Sequence, residues 1–111
     1  MREEARGRMD IRLVKLFDRY APLLTERQRQ VMALSYNEDE SLSEISENTG
    51  ISRQGARDCL KKTEAQLLRY EEALGLVRRE EAWQVRIERA LELLRGGETD
   101  EAERALTALL E

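Results

Sequence analysis

The chain has 111 residues with a formal net charge of −4; 38% are charged, 41% hydrophobic, and there are one proline, six glycines, one cysteine and no histidine. That length holds one compact domain with an appended element but not two full cores, and no apolar run approaches the ~18 residues of a membrane span. A single cysteine excludes an intrachain disulfide, and the missing histidine removes the commonest general base and transition-metal ligand, so no enzyme, cofactor or metal site is expected.

Helix formers dominate and the turn chemistry of a β-rich fold is missing, so the fold class is all-α. Residues 1–9 read as a flexible polar arm, charged like a signal peptide's start but with no apolar core behind it; the expected location is cytoplasmic. Leu13, Leu16, Phe17 and Tyr20 then fall at i, i+3, i+4 and i+7, one stripe of a helix that closes before Pro22. Thr25 with Gln28 forms a capping-box pattern ahead of a helix from about Glu26 to Tyr36, burying Val31, Leu34 and one of Met32 or Tyr36. The acidic "NEDE" that follows lacks the alternate spacing and the glycine of a calcium loop and reads as a solvated turn. Ser41 with Glu44 repeats the capping box before a short helix, roughly Leu42 to Asn48, with Leu42 and Ile45 inward.

"NTGIS" is the strongest punctuation. Gly50 can take the left-handed conformation that ends a helix and Ser52 can cap the next. That next helix begins at Arg53 and meets no strong stop until Gly75. Along it Leu60, Leu67 and Leu74 recur every seven residues with Tyr70 between them, a seam for another helix of the same chain or of a second copy. After a break near "GLVRREE", Trp83, Ile87, Ala90, Leu91 and Leu94 mark a fifth helix. "RGG" stops it, and Thr99 or Asp100 can cap a sixth that buries Ala102, Leu106 and Leu109 in an antiparallel hairpin. The predicted organisation is an arm at 1–9, a helix-turn-helix domain at 10–75 and a hairpin extension at 76–111.

A helix-turn-helix lays its first helix across the phosphate backbone and presents the N-terminal residues of its second to base edges in the major groove. It needs a tight turn, apolar residues that lock the helices, and small residues where they approach. Gly50 supplies the first; Leu42, Ile45, Ile51 and Leu60 supply the second; Ser46 and Ala56 supply the third. Ser52, Arg53, Gln54, Arg57, Asp58 and Lys61 would point outward, and the forks of Arg53 and Gln54 suit guanine and adenine edges. Arg57, Lys61 and Lys62 suit phosphates, although Glu64 and Glu71 on the same helix compete for the lysines. The same residues also fit an unliganded, solvated helix face. Charge is sorted to match: Glu38, Asp39, Glu40, Glu44 and Glu47 precede the turn and four cations follow it. Cys59 reads as a small buried hydrophobe. Trp83 reads as the anchor of the final hairpin or as a partner-binding residue.

The elements Leu23 to Gln28 ("LLTERQ"), Tyr36 to Asp39, Ser41 to Ile45, Gly50 to Gln54 and Lys61 to Glu64 resemble those of the YlxM family of bacterial helix-turn-helix proteins and, more distantly, region four of bacterial sigma factors. The resemblance covers roughly Leu13 to Leu74. It implies a cytosolic, non-enzymatic DNA-binding protein, DNA being favoured over RNA, that takes part in or regulates the signal recognition particle pathway, and a homodimer is expected. Two alternatives stand beside it: an accessory protein binding that particle's RNA or protein, or an adaptor that no longer binds nucleic acid and works through the Leu60, Leu67 and Leu74 seam and the Trp83 hairpin. The family pattern would place Ala-Val where this chain has Gly55-Ala56, and an aromatic residue at Arg57. A glycine inside the first helical turn costs about 0.5 to 1 kcal/mol against alanine, which predicts a looser start to the recognition helix.

Overall fold

The computed structural model describes residues 10–111; the arm expected over residues 1–9 lies outside them. Among the described residues there are six α-helices and no strand: α1 (Ile11–Tyr20), α2 (Glu26–Tyr36), α3 (Leu42–Thr49), α4 (Arg53–Leu74), α5 (Leu76–Arg95) and α6 (Thr99–Leu109). They form two compact units, one ending at Leu74 and one spanning Gly75–Glu111.

In the first unit α4 is the element against which α1, α2 and α3 all pack. α1 is capped by the Asp10 carboxylate, which accepts from the Arg12 N–H. It buries Leu16, Phe17 and Tyr20, with Leu13 only half-buried. A 3₁₀ turn, Ala21–Leu23, uses Pro22 to redirect the chain into Leu24, itself buried. Both expected capping boxes are present, Thr25 with Gln28 at the start of α2 and Ser41 with Glu44 at the start of α3. Each satisfies two backbone donors that a helix start otherwise leaves unpaired.

The buried face of α2 differs from the expected one. Val31, Met32, Ser35 and Tyr36 are covered, whereas Leu34 is half-buried. The stripe runs along 31/35 and 32/36, so a serine takes a place that an apolar count gives to Leu34. Between α2 and α3, Asp39 has φ 55°, a left-handed conformation tolerated by Asp better than by bulky residues. It lets the Glu40 N–H return to the Leu34 carbonyl at 2.9 Å. The acidic loop is thus a shaped turn.

Two tyrosines tie α4 to its neighbours. The Tyr20 hydroxyl donates to Glu71 Oε1 at 2.6 Å, with both residues buried, and the Tyr36 hydroxyl donates to Glu64 Oε2. A second polar path starts from the α2 cap: Gln28 Nε2 donates to Gln66 Oε1 at 2.9 Å, Gln66 donates to the Tyr70 hydroxyl, and that hydroxyl lies 3.4 Å from the Leu23 carbonyl. Tyr70 also stands 5.8 Å from Tyr20, centroid to centroid.

The break after α4 is one residue, Gly75 at φ 62°, shorter than the expected "GLVRREE". α5 ends in a Schellman motif: Gly97 at φ 82° bonds back to the Leu94 carbonyl at 3.0 Å and the Glu98 N–H to Leu93 at 2.8 Å. Glu98, not Thr99 or Asp100, stands at the N-cap of α6, without a side-chain bond. The expected core of this unit is corrected too. Ala90 and Ala102 are buried, but Trp83, Ile87, Leu91, Leu94 and Leu106 are 41–49% exposed and Leu109 is half-buried. Small residues let α5 and α6 approach, and two helices provide no third layer to cover the larger side chains beside that line.

Ser35 Oγ and Thr63 Oγ1 are buried without a hydrogen-bond partner. A buried hydroxyl with no partner carries a desolvation cost of about 1 to 3 kcal/mol. Thr63→Val keeps the shape of a fully buried side chain and removes that cost, so it should raise stability by about 1 kcal/mol in a urea melt. A destabilised variant would show that Thr63 makes a bond the structure does not contain.

Candidate nucleic-acid interface

The turn between α3 and α4 is built by backbone conformation and three hydroxyls. Gly50 has φ 82°, and its N–H closes on the Ser46 carbonyl at 2.9 Å. A Cβ at this position would meet nothing within 4 Å, so glycine is needed for its dihedral and not for space. Ser46 Oγ donates to the Ile51 carbonyl at 2.6 Å, Thr49 Oγ1 donates to Ile45 at 2.7 Å, and the Ile51 N–H donates to Thr49 Oγ1 at 3.3 Å. Each of these otherwise unpaired groups at the corner finds a partner within six residues. Beneath it Ile45, Ala56 and Leu60 are buried, while Leu42, Ser46 and Ile51 are half-buried at its edge.

Ser52 caps α4: its Oγ accepts from the Gly55 N–H at 2.9 Å, and its carbonyl accepts from Ala56 at 2.9 Å. The first turn of α4 has the bonds of an ordinary capped helix. α2 and α3 place Glu26 and Glu44 in their first turns, where a negative charge suits the helix dipole. α4 has no acid there and begins with Arg53. A cation at a positive helix end is an unfavourable arrangement that an incoming anion relieves.

All six residues expected to meet nucleic acid, Ser52, Arg53, Gln54, Arg57, Lys61 and Lys62, are exposed. Arg53, Arg57 and Lys61 follow one another at i, i+4 and i+8 along one line of the helix, with Lys62 beside it. Among the described residues none of the four cations is held in an ion pair. Glu64, three residues from Lys61, is taken up by Tyr36, and Glu71, nine residues beyond Lys62 and so out of its reach along the helix, is taken up by Tyr20. Sequence reasoning could not find these pairs, because the partners lie 28 and 51 residues apart. It also missed a local one: Gln54 Nε2 donates to Asp58 Oδ1 at 2.9 Å, and its i, i+4 spacing was readable.

The expected seam is only partly open to a partner. Leu60 and Leu67 are 2% and 0% exposed, already covered within this chain and so closed to a second copy. Tyr70 is half-buried in the polar path described above, and Leu74 is 49% exposed at the end of α4. Trp83, in the other unit, is 43% exposed with the Arg79 guanidinium 5.9 Å from its ring. Cys59 is half-buried. Among the described residues no group of three or more His, Cys, Asp or Glu side chains is placed to hold a metal ion, and no helix is long and apolar enough to cross a membrane.

A Cβ at Gly55 would lie 3.1 Å from Ser52 Oγ, so the hydroxyl must give by a few tenths of an ångström. The equivalent cap bonds of α2 and α3 accommodate Gln28 and Glu44 at this position with N-to-hydroxyl distances of 3.1 Å, against 2.9 Å at Gly55. Gly55→Ala should therefore keep the cap and gain about 0.5 to 1 kcal/mol in a urea melt. A loss of stability would mean that the Ser52 hydroxyl does not yield.

Comparison with known proteins agrees with this construction. The model of the UPF0122 family, helix-turn-helix proteins described as YlxM / p13 like, matches residues 8–103. The chain is 40% identical over 98 residues to a UPF0122 protein of Symbiobacterium thermophilum, covering 88% of this chain and 92% of that protein. It is 48% identical over 79 residues to one of Geobacillus kaustophilus, covering 71% and 72%. A third, from Caldanaerobacter subterraneus, is 46% identical over 79 residues, covering 71% and 68%. With Gly50 turning α3 into α4 and the family pattern spanning both units, this all-helical chain belongs to the YlxM / p13-like UPF0122 family of helix-turn-helix proteins.

Proposed function

We propose that the chain is a non-enzymatic DNA-binding regulator that sets α4 into the major groove. In this reading Ser52, Arg53 and Gln54 stand at the base edges, and Arg57, Lys61 and Lys62 neutralise phosphates. One observation carries it: four exposed cations share the start of a capped helix with no ion pair among the described residues, while Glu64 and Glu71 are drawn inward by tyrosines. A net charge of −4 does not oppose this, since the potential a phosphate meets is local. A single α4 offers few contacts, so the reading includes a homodimer that places two such helices on one duplex. The expected setting is the cytoplasm.

DNA is favoured over RNA because the major groove of B-form DNA admits an α-helix, whereas that of A-form RNA is too deep and narrow. The acidic stretch Glu38 to Glu47 favours a second reading, in which the chain is accessory to the signal recognition particle and offers that surface to a basic partner. An adaptor without nucleic-acid binding would need neither Arg53 nor Arg57.

Three phosphate contacts from each α4, six in the dimer, predict that log K for duplex DNA falls against log salt with a slope of about −5.4. Arg53→Ala with Arg57→Ala removes two of these contacts and should reduce it to about −3.6. The measurement is fluorescence anisotropy on a labelled duplex across a salt series. No binding at ~50 mM salt, or a slope unmoved by the double substitution, would count against DNA as the ligand of α4.

A further inference from the structure

The face that α4 offers to a duplex contains one acid. Among the exposed residues from Arg53 to Lys62, Asp58 stands with Arg53, Gln54, Arg57, Lys61 and Lys62, and among the described residues it pairs with none of the cations. A carboxylate on a surface that grips phosphate subtracts from the attraction of its neighbours. Asp58 instead accepts from Gln54, Oδ1 to Nε2 at 2.9 Å, one helical turn away.

That bond determines what Gln54 can read. A glutamine recognises adenine by accepting from the N6 amino group through Oε1 and donating to N7 through Nε2. Its amide nitrogen carries two hydrogens. With one directed at Asp58, the other and Oε1 remain as a donor and acceptor pair for a single base edge. The flipped amide is disfavoured, because Oε1 would then face a carboxylate oxygen, acceptor against acceptor. Unrestrained, a glutamine in the first helical turn samples several rotamers and both amide orientations, and would offer either group to any base.

We propose that Asp58 is a positioning residue that fixes the Gln54 carboxamide for adenine, lowering general affinity for DNA in exchange for base discrimination. This rests on the reading of α4 as the DNA-reading helix. The test is selection from a duplex library of randomised sequence, with bulk affinity for the unselected library measured alongside. It uses the full chain and its Asp58→Ala, Asp58→Asn and Gln54→Ala variants, all changes at exposed side chains.

The parent should prefer adenine at one position of its site by about tenfold or more. Asp58→Ala should bind the unselected library more tightly and lose that preference. Asp58→Asn, whose amide oxygen still accepts from Gln54, should gain affinity and keep it. Gln54→Ala should lose it without the gain. Persistence of the same preference in Asp58→Ala or Gln54→Ala overturns the proposal while DNA binding stands; a parent that binds no duplex at ~50 mM salt overturns the proposal together with the reading beneath it.

Discussion

One left-handed residue decides whether the stretch from Leu42 to Leu74 is a rod or two helices meeting at a corner. Gly50 at φ 82° costs little because glycine has no Cβ to clash with the following carbonyl. Any other residue would meet strain there even though the space beside it is open. The corner also needs its polar groups satisfied, and Ser46 and Thr49 do this from within α3. Once the chain has turned, Ser52 caps α4 and the outward positions of its first turns fall to Arg53, Gln54, Arg57 and Lys61. The exposure of the cationic face therefore follows from a backbone dihedral.

The charge on that face depends on different elements. Glu64 stands three residues from Lys61, a spacing at which a helix ordinarily neutralises itself, whereas Glu71 lies nine residues beyond Lys62. Here the tyrosines of α1 and α2 donate to Glu71 and Glu64, and the same bonds hold α4 against both helices. Packing and electrostatics are thereby coupled. The hydrogen bonds that secure the long helix also draw Glu64 and Glu71 toward the protein, while Lys61 and Lys62 stay on the solvent side. They give both carboxylates a donor where α4 is covered.

Most of the helix boundaries were legible because their causes are local. Capping boxes at Thr25 and Ser41, Gly50 before Ser52, and Gly96-Gly97 each act within a few residues and need no tertiary information. The misses share another cause. Leu34 yielded its place to Ser35, and Ile87, Leu91 and Leu94 remain partly exposed, because burial depends on which helices are present to cover a face and not on periodicity alone. Leu60 and Leu67 kept the seven-residue spacing of a seam for a helix of the same chain or of a second copy, and it is their own unit that covers them. The residues of the candidate interface were all readable from the capped basic helix. What stayed hidden was the destination of Glu64 and Glu71, since hydroxyl donors far along the chain leave no local mark. Asp39 was half legible: its acidity was plain, its left-handed backbone was not.

The acids ahead of the turn constrain how a polyanion can approach. Two of the five are engaged locally. Glu44 accepts from the Ser41 N–H at the positive end of α3, and Glu40 accepts from Asn48 Nδ2 at 2.9 Å through both oxygens. Glu38, Asp39 and Glu47 remain exposed. In a helix-turn-helix the first helix crosses the phosphate backbone, so here that role falls to an acidic helix, and close docking of α3 on phosphate would cost energy. Interactions between exposed charges fade over roughly 8 Å at physiological salt. In the reading proposed above, approach along α4 brings a duplex to Arg53, Arg57, Lys61 and Lys62, whereas approach across α3 brings it to the exposed Glu47. The charge order along the sequence, acids before Gly50 and bases after it, favours the first of these.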